Sequence, residues 1–255
     1  MKQKKLETYS PLILLVTLVA LWQAICSGFD VAEFIFPSPI MIAHALAEFT
    51  NPIAVAAWQT FWVTMVGFGL SIVVGVLLGF LVGSARIAYT AVFPLLVAFN
   101  AVPKAAIVPI LVVWFGIGIG PGILTAFLIS FFPITVNIAT GLATLEPELE
   151  DVLRVLGAKR WDVLVKVGLP RSLPYFYGSL KIAITLAFVG TVLAEMTAGD
   201  SGIGYLMQSA SSQQRLALAF AGLVVIGAMA MAMYEFFSYV ERHTTSWAHR
   251  GSQNT

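Results

Sequence analysis

Residues 52–85 carry no charge, and from Ile87 to Leu145 the only charged side chain is Lys104. Uncharged runs of this length leave few folds open, because a helix crossing a bilayer needs about 20 apolar residues. In lipid each backbone N–H and C=O must find its partner within the protein. A continuous apolar run, rather than an alternating one, satisfies that demand as an α-helix. Composition agrees: 59% of the chain is hydrophobic and 11% charged, where a soluble domain is usually about one quarter charged. The expected class is an all-α polytopic membrane protein. The formal net charge is +1, and no basic tract points to nucleic acid.

The first apolar segment, residues 11–29, follows a polar start bearing Lys2, Lys4 and Lys5. No small-residue cleavage site follows it, so it reads as a retained span rather than a signal peptide. Phe36-Pro37-Ser38-Pro39 marks a turn, and Ser38 is placed to cap a short amphipathic helix over residues 39–49. In the long uncharged run, Trp58 and Trp62 are expected at the membrane interface. Gly67, Ser71, Gly75, Gly79 and Gly83 recur every four residues, a small-residue stripe that lets another helix approach closely.

The interval 87–145 is long enough for two spans, divided at Gly116-Ile-Gly118-Ile-Gly120-Pro121-Gly122. Pro94, Pro103 and Pro109 fall in the first of them and are expected to kink it. Broken backbone at membrane depth is tolerated where it is buried in protein or lines a cavity, which places this span at the translocation path. Pro133 and Asn137 are expected to interrupt the next span. A fifth span covers 172–196 and a sixth 216–239, with a polar interval 197–215 between them. With the N-terminus inside, nearly all basic residues outside the spans face the cytoplasm and only Arg215 faces out, as the positive-inside rule requires.

No GxxxxGK[ST], HExxH, GxSxG or CxxC run occurs, so the chain is not expected to catalyse a reaction itself. The single cysteine, Cys26, and the scattered His44, His243 and His249 show no metal-ligand spacing. Intramembrane charges are functional candidates by default. Lys181 lies near the start of its span and is expected to snorkel. Glu195 either marks the outer interface or serves a gate or cavity. Lys104, beside Pro103, faces protein or water, with an anionic solute or a backbone carbonyl as its partner.

Between the fourth and fifth spans lies the longest charged interval, Glu146 to Pro170. Leu149, Val152, Leu153, Leu156, Trp161, Leu164 and Val165 recur at helical spacing, with a break at Gly157. Helices that lie on a membrane surface are usually strongly basic. Here acids precede bases, and Glu150 and Arg154 make an i,i+4 pair. Mixed charge around a glycine break fits a partner's groove better than lipid.

The run Asp151-Val-Leu-Arg154-Val-Leu156-Gly157-Ala158, with Leu169-Pro170 downstream, resembles the EAA motif of ABC importer permeases. Phe36-Pro-Ser-Pro39, Val102-Pro-Lys104, Val108-Pro109, Trp114-Phe-Gly116, Ala194-Glu195-Met196 and Gly202-Ile-Gly204 are similar to the sulfonate, taurine and nitrate branch. The match departs from the motif where Asp151 stands for Glu and where Val152 and Leu153 replace two alanines.

The resemblance implies a type I importer fold with six transmembrane helices and a cytoplasmic coupling helix between helices 4 and 5. It implies a cytoplasmic segment at 1–10, one permease domain at 11–240 containing the coupling segment 146–170, and a cytoplasmic tail at 241–255. Glu150, Asp151, Arg154, Leu156, Gly157, Ala158 and Trp161 would dock on the ATPase. Lys104, Pro103, Pro109, Asn137 and Glu195 are candidates for the path or its gate. Implied partners are two ATPase subunits, an extracytoplasmic solute-binding protein and a second copy of the permease in a homodimer within the inner membrane. No cofactor is expected on this chain, with ATP and Mg on the partner ATPase. The expected solute is a small organic anion such as an alkanesulfonate or taurine, or nitrate. A thiamine-precursor pyrimidine or an aromatic acid is the alternative within the class. A stand-alone channel or secondary carrier, which often shows an internal repeat, is the alternative of another class, and a scaffold without transport is a third.

Overall fold

The computed structural model describes residues 2–29, 31–143, 152, 155–157 and 160–245. Among them the chain forms helices and connecting turns, with no strand. The helices are α1 (Lys2–Gly28), α2 (Pro39–Glu48), α3 (Thr50–Gly83), α4 (Arg86–Ala101), α5 (Lys104–Phe115) and α6 (Ile119–Ala143). There follow α7 (Arg160–Val163), which runs through a π-helical turn at Leu164–Gly168 into α8 (Leu169–Ala198), then α9 (Gly202–Ser212) and α10 (Leu216–Thr244). Five helices are long and apolar enough to cross a membrane, and the bent pair α4–α5 makes up to six.

The centre is a trio of α3, α6 and α8. Phe68, Ala126, Ile134, Ile138, Ile184, Ala187 and Phe188 are buried together there. The small-residue stripe explains why α3 and α6 lie so close. A Cβ added at Gly75 would meet Ile134 Cβ at 2.9 Å, and one at Gly79 would meet Ile138 Cβ at 2.8 Å. Without a hydrophobic drive inside lipid, such close backbone approach is what holds helices together. Ser71 Oγ lies 2.6 Å from Ser130 Oγ and adds a polar tie along the same seam.

Around this trio the smaller elements collect. Ser38 caps α2 as expected, its hydroxyl accepting from Met41 N. Ile42 and Ala45 of α2 join Ile53, Ala217 and Ala221 in a second apolar cluster. α1 touches the bundle through Trp22, whose ring is 5.2 Å from that of Phe36 and 6.3 Å from that of Phe220. Cys26 is also buried and Gln23 Oε1 accepts Ile40 N–H, but only 6% of the apolar window Ser10–Gly28 is buried within the chain. α3 is one unbroken helix of 34 residues, about 50 Å long at 1.5 Å per residue. Trp58 and Trp62 are exposed along its first half.

The third span is where expectation and structure differ most. α4 and α5 meet at 83°, so this span is broken rather than kinked. Of its three prolines only Pro103 stands at the break, where Val102 is extended (φ −67°, ψ 128°). Extended backbone is what a following proline favours. Pro94 and Pro109 lie inside continuous helices. Pro133 and Asn137 do not interrupt α6, which is helical throughout. Gly116 and Gly118 make the expected turn between α5 and α6, both at positive φ.

Candidate functional site

The charged segment 146–170 is described in part. Glu150, Asp151, Arg154 and Ala158 lie outside the described residues, and of Trp161 only the backbone, within α7, is described. Leu156 N donates to the Val152 carbonyl at 3.2 Å, closing a helical turn. Gly157 follows at φ +90° with open space around it. Val152, Val155 and Leu156 are all exposed, Leu156 to 78% and Val155 to 89%. This apolar ridge stands uncovered among the described residues, and the helical spacing had not singled out Val155. Asp162 and Lys166 pair at 3.1 Å one turn before α8. The segment therefore joins α8 through helical backbone, with Pro170 and Pro174 in the first turns of that helix.

At the broken span, Lys104 opens α5 and reaches back across the break. Its ammonium donates to the Asn100 carbonyl and to Asn100 Oδ1, the latter at 2.7 Å. A backbone carbonyl, that of Asn100, is thus among its partners. Pro103 and Pro109 are both exposed. Asn137 is half-buried and donates Nδ2–H to the Pro133 carbonyl at 2.8 Å, within its own helix. Lys104 and Asn137 each bond locally, and among the described residues no polar contact joins either to Glu195.

Glu195 is 7% exposed and lies inside the protein. Thr60 Oγ1 of α3 is 2.9 Å from both its carboxylate oxygens and donates to them. The same hydroxyl accepts Ile203 N–H at 2.8 Å, and Glu195 Oε2 accepts Gly204 N–H at 2.9 Å. The first turn of α9 is therefore pinned by its backbone donors, the groups a helix N-terminus leaves free. Gly202 sits at φ +90°, and a methyl there would overlap the Glu195 carboxylate. Gln59 donates to Ser201 Oγ beside this centre. Thr64 and Thr191 hydroxyls, 2.9 Å apart, continue it inward.

Lys181 has a charged partner that the sequence did not show. It forms an ion pair with Glu241 of α10 at 2.6 Å, the two side chains 19% and 13% exposed. Thr60 and Glu241 were not recognised from the sequence. Thr60 and Thr64 extend the small-residue stripe of Gly67 and Ser71 toward the start of α3, the one local signal available. An open pocket of about 520 Å³ lies between the start of α3 and α9, with Gln59, Ser201, Tyr205 and Arg215 among its lining residues.

Residues 71–245 match the family described as "Binding-protein-dependent transport system inner membrane component". A probable ABC transporter permease protein of Haemophilus influenzae is 33% identical over 90% of this chain and 94% of its own length. The formylaminopyrimidine transport permease protein ThiX of Halalkalibacterium halodurans is 27% identical over 96% and 98%. The putative aliphatic sulfonates transport permease protein SsuC of Bacillus subtilis is 26% identical over 92% and 86%. Among solved structures, an inward-facing MetNI methionine ABC transporter chain superposes with a TM-score of 0.68 at 18% identity, covering 78% of this chain and 98% of that one.

Proposed function

Since the chain belongs to the family of binding-protein-dependent transport system inner membrane components, we propose that its 146–170 segment docks on the partner ATPase and that its spans line the path of a small organic anion. The chain is a multi-pass inner-membrane permease subunit of an ABC importer, and ATP hydrolysis belongs to the partner ATPase. Family membership removes the stand-alone carrier and the scaffold.

The observation that carries the docking reading is the exposed Leu156–Gly157 turn, followed by the π-helical turn that leads into α8. An uncovered apolar ridge on a charged segment is what a partner's groove would take. A permease without a P-loop moves solute uphill only by borrowing free energy, and helical backbone leading into α8 gives that energy a path. ATP and solute must each favour a different conformation for the cycle to run in one direction.

The complex contains two permease copies as a homodimer and two ATPase subunits. ATP and Mg sit on the ATPase. Both termini face the cytoplasm. Pro103, Lys104 and Pro109 border the path at the break. Asn137 faces it from α6, and Glu195 holds its outer end in shape rather than touching solute. The solute is an alkanesulfonate, taurine or nitrate, consistent with the aliphatic sulfonate relative. Formylaminopyrimidine is the second reading, because ThiX matches nearly the whole length of both chains.

Purification of the tagged chain from its own membranes in mild detergent, with mass spectrometry of what accompanies it, tests this. A stoichiometric P-loop ATPase, lost on joint charge reversal of Glu150 and Asp151 while membrane insertion persists, is the expected result. Unchanged co-purification would remove the docking assignment. Uptake assays with a labelled sulfonate and a labelled pyrimidine then decide between the two solute readings.

A further inference from the structure

In a helix running through residue 104, the Asn100 carbonyl would accept the Lys104 backbone N–H. At the break between α4 and α5 that carbonyl accepts the Lys104 ammonium instead. Asn100 Oδ1 takes another N–H of the same ammonium at 2.7 Å. The lysine side chain thus stands in for its own backbone across the break. Pro103 is the cause, since it offers no N–H to the turn before it and holds Val102 extended. The Phe99 carbonyl accepts Val102 N–H at 3.3 Å, and the Pro103 carbonyl accepts Ala106 N–H at 3.0 Å as α5 begins.

The Asn100 carbonyl therefore has two rival donors, both belonging to Lys104. In a straighter span it points along the helix axis to the backbone N–H and gives up the ammonium. In the bent span it keeps the ammonium and leaves the backbone N–H. Two alternative partners for one acceptor make a two-state joint. α5 is also free enough to follow such a joint as a unit. It is 12 residues long, and only Val108 and Leu111 are buried. Its far end runs into Gly116 and Gly118, both at positive φ and both without a neighbour within 4 Å of an added Cβ. Few residues that absorb the backbone change at either end of a rigid element are the make-up of a hinge.

We propose that the contact of Lys104 with Asn100 is the pin of a hinge at Val102–Pro103, about which α5 swings between this bent arrangement and a straighter one during the transport cycle. Lys104 is then a positioning residue that acts through α5. The hinge holds whichever solute the chain carries, so its failure would leave the solute reading standing.

The test measures one distance across the joint. Spin labels are placed at Ile87→Cys and Val113→Cys, 85% and 83% exposed at the two ends of the pair, in a chain carrying Cys26→Ser. Complexes with the ATPase that hold one labelled copy are put in lipid nanodiscs. Electron–electron resonance then gives the spacing without nucleotide and after trapping with Mg-ATP and vanadate. Straightening from the 83° bend should lengthen the spacing by about 8 Å at 1.5 Å per residue, and the two conditions are expected to differ by that amount. Lys104→Met should raise the ratio of long to short spacing about tenfold in the condition where the unmodified joint is bent, the worth of a hydrogen bond to a charged group. Lys104→Arg, which still donates to Asn100, should keep the original distribution. Asn100→Val removes one of the two acceptors at similar helix propensity. It should shift the ratio in the same direction as Lys104→Met, and it decides the matter if Lys104→Met does not assemble with the ATPase. One unchanging spacing in both conditions would overturn the hinge. A spacing that changes with nucleotide but whose populations ignore Lys104→Met, or Asn100→Val in its place, would overturn the pin.

Discussion

Lys181 and Glu241 meet at 2.6 Å between α8 and α10, and the lysine ammonium also stands 5.8 Å from the centre of the Tyr234 ring. The pair ties the last span to the helix into which the charged segment 146–170 leads. Removing one partner leaves the other charge buried and unpaired, which costs about 3 kcal/mol or more. Lys181→Met is therefore expected to lower the thermal midpoint of the purified complex. The swap Lys181→Glu with Glu241→Lys should recover most of the loss. A midpoint unmoved by Lys181→Met would mean that water already satisfies both groups.

The Thr60–Glu195 centre makes a sharper prediction, because one hydroxyl both donates to the carboxylate and accepts from Ile203 N. Thr60→Val strips a buried carboxylate and a buried N–H of their partner, a loss of about 2 kcal/mol. Thr60→Ser keeps the oxygen and should behave as wild type. Gly202→Ala should fail like Thr60→Val, since its methyl would overlap Glu195 and its backbone sits at φ +90°. Thermal shift of the three purified variants checks this. Equal midpoints for Thr60→Val and Thr60→Ser would show that the hydroxyl is not the anchor.

These two centres show why part of the molecule was legible and part was not. The glycine stripe on α3, the Ser38 cap and the Gly116–Gly118 turn were readable because each is local and each has a steric or hydrogen-bonding cause within a few residues. Thr60 and Glu195 are separated by 135 positions and Lys181 and Glu241 by 60. Pairings at that range leave no local periodicity, so Lys181 read as a snorkelling lysine, and Glu195 stayed open between an interface marker and a gate or cavity residue. The three prolines of the third span also look alike in sequence. Only the extended backbone at Val102 distinguishes Pro103, and that is a property of the fold.

Close contact of α3 with α6 gives a steric prediction. A side chain at Gly79 would run into Ile138 and the Thr135 carbonyl, both at 2.8 Å from its Cβ. Gly79→Leu should therefore separate the helices and reduce the amount of folded chain recovered in mild detergent. Gly69 lies on the same helix, and a Cβ added there would have nothing within 4 Å. Gly69→Leu should be recovered at wild-type levels. Similar recovery of both variants, read by size-exclusion of a fluorescent fusion, would count against the packing account.

Gly157 separates backbone strain from crowding in the segment proposed to dock on the ATPase. It stands at φ +90° with no neighbour within 4 Å, so a larger residue meets no steric obstacle outside its own backbone. A β-branched residue is poorly accommodated at positive φ, whereas asparagine tolerates that half of the map better than other non-glycine residues. Strain of this kind is worth about 1–3 kcal/mol. Gly157→Val is therefore expected to cut uptake about tenfold or more, with membrane insertion unchanged, and Gly157→Asn to retain most of it. If the turn positions the Leu156 ridge for docking, Leu156→Asp should mimic Gly157→Val in uptake without straining the backbone, and both should weaken ATPase co-purification. Wild-type uptake by Gly157→Val would show that the bend is dispensable. Lost uptake with full ATPase retention would place its role in transmitting motion into α8 rather than in docking.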